Sequence, residues 1–182
     1  MPRVSSYLCE LLALSGHPSL LSGTVQRVLL SVDQSLTSMR RLVAAARPDY
    51  LQLHGNETID LARAMKAEFN LPIIKMIPVA TDADIANCAV WDSVADWLIF
   101  DAKVEQGLQP GGTGHSFNWE ILSDYDGQTP WMLAGGLTAD TVADAVSISG
   151  ARAVDVSSGV ENAAGKKDEN MIHDFIRAAQ IG

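Results

Sequence analysis

Residues Ala153–Glu161 read AVDVSSGVE, a short β-branched and apolar run that ends on hydroxyl and small residues where a strand would hand over to a loop. Backbone N–H groups that converge at such a turn make a site for an anion. Upstream, Met132–Thr138 (MLAGGLT) has the same grammar: an apolar strand, a glycine turn, then a threonine able to cap a helix. Two such loops in succession predict a phosphate cup, as in the last two strand-to-helix loops of many phosphate-binding (β/α) barrels.

Working outward, the chain alternates regularly from Gln26 onward. Val25–Asp33, Asp49–Gly55, Leu71–Val79, Trp97–Lys103, Trp131–Ala134 and Ala151–Val156 read as strands. Helices are expected over Ser35–Ala46, Glu57–Phe69, Asp82–Ser93, a short stretch from Asn118, Ala139–Ser149 and Lys167–Ala179. Six strand-then-helix units predict an α/β fold with a parallel sheet and helices outside it. Asp33, His54, Asp101, Gly135 and Ser157 all fall at or just past the C-terminal ends of different strands. In a TIM-type barrel those ends ring one site, whereas a doubly wound sheet would split them, and no GxGxxG follows the first strand. The expected fold is therefore a (β/α) barrel of six recognisable units. Residues 1–23 are atypical. There, Ser5 or Ser6 would cap a helix through Tyr7, Leu8, Leu11, Leu12 and Leu14, ended by Gly16 and Pro18.

The 182 residues predict a single domain, and 47% hydrophobic with 19% charged residues is a globular composition. The apolar runs are too short to cross a bilayer, and Glu10 interrupts the one near the start, so a cytoplasmic protein without a secretory signal is expected. A net charge of −9 argues against a nucleic-acid surface, but not against a small phosphorylated ligand held by backbone N–H groups. Cys9 and Cys88 lack CxxC spacing and read as inert thiols in helical stretches. His17, His115 and His173 are assigned no role, and the scattered histidines give no metal pattern.

Asp101 ends the apolar strand WLIFD, a costly position for a charge unless it has a partner or a task. Burial there would raise its pKa towards that of a useful general acid; the alternative is a cap or an ion pair with Lys103. His54, in LQLHG, is either a ligand-lining residue or a core histidine bonded to a neighbouring strand. Gln52 shares its face of the strand. The loop Pro110–Gly114 (PGGTG) reads as a phosphate cradle, a lid or plain turn chemistry, and it gains weight beside Gly135, Gly136, Ser157, Ser158 and Gly159.

In this order and spacing, LQLHG, LIFDAK, PGGTGHSFNW, MLAGGLTADTVADA and AVDVSSGVENAAGKKD resemble phosphoribosylanthranilate isomerase of tryptophan biosynthesis. The resemblance runs from about Gln26 to the end. It implies a (β/α)₈ barrel that converts N-(5-phosphoribosyl)anthranilate to its 1-deoxyribulose isomer, an Amadori rearrangement, with no metal or organic cofactor. It also implies that Asp101 is the general acid that protonates the furanose ring oxygen. By the same resemblance Gly112, Gly135, Gly136, Ser157, Ser158 and Gly159 form the phosphate loops, and Gln52 and His54 lie on a ligand-lining strand.

The departure is at the N-terminus, where the family's Lys-Ile-Cys-Gly strand, with its general-base cysteine, has no counterpart. Pro2 and Arg3 then match a later loop, with Arg3 as the residue that grips the anthranilate carboxylate, and Cys9 is misplaced for a base. Two expectations follow: strand edges that invite pairing with a second chain, and turnover reduced by loss of the base. The competing readings are a non-catalytic phosphate-ligand module or truncated gene product, and a related barrel synthase. The synthase would need catalytic lysines at strand ends, which Lys75 alone does not supply.

Overall fold

The computed structural model describes residues 12–13, 26–102, 119–123 and 125–180. A short strand β1 (Leu12–Ala13) is followed by β2 (Val28–Ser31), α1 (Leu36–Ala46), β3 (Tyr50–Leu53), α2 (Ile59–Phe69) and β4 (Ile73–Val79). Next come α3 (Asp82–Ala86), a 3₁₀ segment Asn87–Ser93, β5 (Trp97–Ala102), a second 3₁₀ segment Trp119–Leu122, β6 (Trp131–Ala134) and α4 (Val142–Ser149). The chain closes with β7 (Ala153–Val154), a 3₁₀ turn Ser158–Val160, a hairpin β8 (Glu161–Ala163) and β9 (Lys166–Lys167), and α5 (Glu169–Ala179).

Local chemistry sets the helix boundaries. Ser35 and Thr58 side chains accept from the backbone N–H groups of Ser38 and Leu61, and Asp168 accepts from those of Asn170 and Met171. The expected helix 82–93 is α-helical for its first turn only and then tightens to 3₁₀. That tightening brings Cys88 and Trp91, three residues apart, onto one buried edge.

Strands β2 to β7 are parallel and neighbours in sequence order, and β1 adds antiparallel to β7, giving the order β1-β7-β6-β5-β4-β3-β2. The helix expected through Leu12 is thus replaced at Leu12–Ala13 by a strand opposite Val154 and Ala153. A run such as LLALS fits either period, and pairing satisfies backbone groups that the edge of β7 would leave open. The rest of that expected helix lies outside the described residues.

Alternation along the strands sorts the core into two faces. Leu29, Leu51, Leu53, Ile73, Leu98, Phe100, Leu133 and Val154 pack under the helices with Met39, Met65, Val142 and Phe175. Val28, Ile74, Ile99, Met132, Ala134 and Ala153 form a smaller cluster on the other face. Residues of β2, β3, β5, β6 and the end of β7 line one common cavity on this second face, so the sheet curls around it, as a barrel of α/β type requires.

Candidate active site

The cavity has a volume of about 400 Å³ and opens at the C-terminal ends of the strands. Its floor and walls are Leu30, Gln52, His54, Asp101, Ala134 and Asp155, each on the inward face of its strand or just beyond its end. The register explains the grouping: Leu30 pairs with Gln52, and Asp101 with Ala134, so these residues stand at similar heights. The remaining wall is two loops, Gly135–Leu137 after β6 and Val156–Gly159 after β7.

Gln52 is buried, and its Nε2 lies 3.3 Å from His54 Nδ1. With the amide donating, Nδ1 accepts and the ring proton sits on Nε2. His54 is further fixed by its backbone N–H, which donates to Ser31 O at 2.9 Å. Burial raises the Asp101 pKa above its ordinary value, and the nearby His54 opposes the rise. Asp33, by contrast, is exposed, and its Oδ1 accepts from the Asn56 backbone N–H at 2.6 Å. It belongs to the β2–β3 loop contacts and does not line the cavity.

Gly135 and Gly136 have φ of 97° and 64°, in the left-handed region where successive N–H groups can turn to one side. Gly159 is needed for close approach, since a Cβ there would lie 1.8 Å from Leu137 O. Behind Ser157 stands Lys167, whose Nζ contacts Ser157 O at 2.8 Å, Ser157 Oγ at 3.0 Å and Glu161 Oε1 at 2.7 Å. Lys167, together with the Gly165 N–H, holds the Glu161 carboxyl below its ordinary pKa.

Of the residues singled out in the sequence, Gln52, His54, Asp101, Gly135, Gly136, Ser157, Ser158 and Gly159 all line this one cavity. Arg3 and Gly112 lie outside the described residues. Sequence reasoning passed over Leu30, Ala134, Leu137, Asp155 and Val156 as lining residues. The signal for Asp155 was available, because it follows Ala153 at the period of two that defines the inner face. Lys167 and Glu161 were missed because the β8–β9 hairpin that brings them to Ser157 has no alternating pattern. Among the described residues no group of three or more His, Cys, Asp or Glu side chains could hold a metal ion.

A parallel-stranded α/β barrel with a partly buried carboxyl and two glycine-bearing loops at its strand ends has the layout of the barrels that handle small phosphorylated ligands. The family can be stated more closely. Residues 19–178 match the family model described as N-(5'phosphoribosyl)anthranilate (PRA) isomerase, and the chain belongs to that family. The chain is 45% identical over 183 residues to the N-(5'-phosphoribosyl)anthranilate isomerase of Parvibaculum lavamentivorans, covering 98% of this chain and 83% of the relative. The crystal structure of phosphoribosyl anthranilate isomerase from Thermotoga maritima superposes with a TM-score of 0.76 at 30% identity, covering 88% of this chain and 75% of that one. A further structure of the enzyme, in complex with reduced 1-(o-carboxyphenylamino)-1-deoxyribulose 5-phosphate, gives a TM-score of 0.73 at 28% identity, covering 88% and 74% of the two chains.

Proposed function

We propose that this chain isomerises N-(5-phosphoribosyl)anthranilate to 1-(o-carboxyphenylamino)-1-deoxyribulose 5-phosphate in tryptophan biosynthesis, with the 400 Å³ cavity as its active site. The observation that carries the reading is the meeting, in one cavity, of a carboxyl whose pKa is raised by burial, on β5, and two glycine-bearing loops that follow the neighbouring strands β6 and β7. The relative solved with the reduced product analogue supports a ligand of this size and chemistry.

In this reading Gly135, Gly136, Ser157, Ser158 and Gly159 hold the phosphate through backbone N–H and hydroxyl groups, and Lys167 adds positive charge behind them. Asp101, kept protonated to higher pH by burial, donates its proton to the furanose oxygen as the ring opens. The anthranilate nitrogen's lone pair opens the ring to an iminium at C1′. The C2′–H bond then breaks, its proton passing to solvent water and its electron pair forming the enolamine, which ketonises to complete the Amadori shift. Gln52 and His54 line the sugar's path and fix its orientation. Arg3 is assigned to the anthranilate carboxylate and Gly112 to the phosphate by family resemblance.

The substrate is a soluble phosphosugar, so we place the protein in the cytoplasm without a nucleic-acid or membrane partner. The net charge of −9 supports the first, and among the described residues no helix is long and apolar enough to cross a membrane. Strand β2 ends the sheet among the described residues, and a homodimer formed along that edge is a further part of the proposal, tested by sedimentation.

The test of function is turnover of enzymatically generated substrate by the purified chain, with complementation of a tryptophan auxotroph lacking this step and Asp101→Asn as control. Turnover that Asp101→Asn reduces by about 10² to 10⁴ is expected. Tight binding of the reduced product analogue with no turnover would instead select the non-catalytic ligand module.

A further inference from the structure

Beneath the β3–α2 loop, on the helix side of the sheet, Lys75 and Glu57 form an ion pair of 2.9 Å whose side chains are 5% and 0% exposed. Neither lines the cavity. A buried pair of this kind is weak support for stability, since well-packed apolar residues commonly do as well. Its hydrogen bonds point to another task. Lys75 Nζ donates to Leu53 O at 3.2 Å and to Gly55 O at 2.5 Å, the carbonyls on either side of His54. Glu57 accepts from the Gly55 N–H at 3.2 and 3.1 Å, and from the Asp33 N–H at 3.0 Å. The backbone flanking one cavity residue is therefore held by two opposite charges from below, and the same carboxylate ties in the loop after β2. The Trp91 ring, 5.2 Å from Lys75 Nζ, packs against the ammonium.

We propose that the Glu57–Lys75 pair is the positioning element for His54. It sets the backbone on both sides of that residue, and so the approach of the ring to Gln52 Nε2 and its place in the cavity. The assignment of a catalytic consequence rests on the isomerase reading above; the assignment of a positioning role does not.

The test is the double variant Lys75→Met/Glu57→Gln, which removes both charges together and leaves no unpaired ion. Two readouts are taken once circular dichroism has verified folding. The first is the ¹⁵N spectrum of the His54 ring, expected to show the Nε2–H tautomer in the parent and a mixture of tautomers in the variant. The second is the kcat and KM split for the isomerisation: kcat is expected to fall about 10- to 100-fold, with KM within about threefold. In a His54→Ala background the same double substitution should cost little more, because the pair acts through that residue. A folded double variant with the parent ring spectrum and the parent kcat would overturn the proposal, as would full additivity with His54→Ala. Should the double variant fail to fold, Lys75→Arg and Glu57→Asp are read in the same two ways, each expected to shift the ring spectrum in a folded protein, and unchanged spectra in both would overturn it. If the parent chain turns over no substrate, the isomerase reading fails alone, and the ring spectrum still decides the positioning role.

Discussion

Lys167 Nζ donates to Ser157 O at 2.8 Å and to Ser157 Oγ at 3.0 Å, joining strand β9 to the loop that closes one side of the cavity. Through this contact the β8–β9 hairpin braces the Val156–Gly159 wall of the cavity. Glu161 completes the arrangement by accepting from both Lys167 and the Gly165 N–H, which keeps the hairpin turned towards Ser157.

Replacing Lys167 with Met should therefore raise KM for the phosphorylated substrate about tenfold, with kcat changed little. The loss is that of the charged donor that holds Ser157 O and Oγ in place. Steady-state kinetics against substrate concentration checks this, and competition by inorganic phosphate should weaken in parallel.

Much of this was readable in the sequence because two periods coincide there. The period-two alternation in LQLHG and WLIFD puts Gln52, His54 and Asp101 on one face, and the βα rhythm brings those faces to a common end. What stayed hidden depends on contacts between segments far apart in the chain. Lys75 reads as an isolated charge in an apolar strand, and its partner Glu57 as the first residue of a helix. Only the packing of the β3–α2 loop over β4 makes them a pair. The strand at Leu12–Ala13 is illegible for a related reason, since it exists through pairing with β7 and has no local pattern of its own.

Burial pushes the Cys88 thiol up to about 11, with the Asp84 and Asp92 carboxylates adding to the rise, and its Sγ donates to Asp84 O at 3.2 Å. At pH 8 almost none of it is thiolate, the reactive form. Peptide mapping after iodoacetamide treatment should find Cys88 unmodified in the native protein and fully modified in denaturant.

A methyl group at residue 159 has nowhere to go, because the backbone oxygen of Leu137 stands 1.8 Å from where the Cβ would lie. Gly159→Ala should push the loops after β6 and β7 apart and lower stability by about 1–3 kcal/mol, the usual cost of overpacking. Denaturant unfolding measures the second effect. A lower affinity of the variant than of the parent for the product analogue, at the same temperature, measures the first.

Asp101 also contributes to the pH dependence of stability. Its folded pKa is raised by burial, so the native state binds more protons than the unfolded chain between the unfolded value of about 3.9 and the higher folded one. The contribution is fully favourable below the unfolded value and is lost as pH rises through the folded value. At pH 7 the folded protein therefore bears the cost of a partly buried carboxylate, a cost that a functional group in a cavity can impose on its fold. Asp101→Asn removes the charge and keeps the size, so the variant should unfold at higher denaturant concentration than the parent at pH 7. The advantage should shrink steadily as the comparison is moved towards pH 4. Parallel urea titrations across that range check the sign, while the same variant loses turnover. A variant less stable than the parent at pH 7 would mean that the carboxylate is better paired in the folded protein than its burial implies.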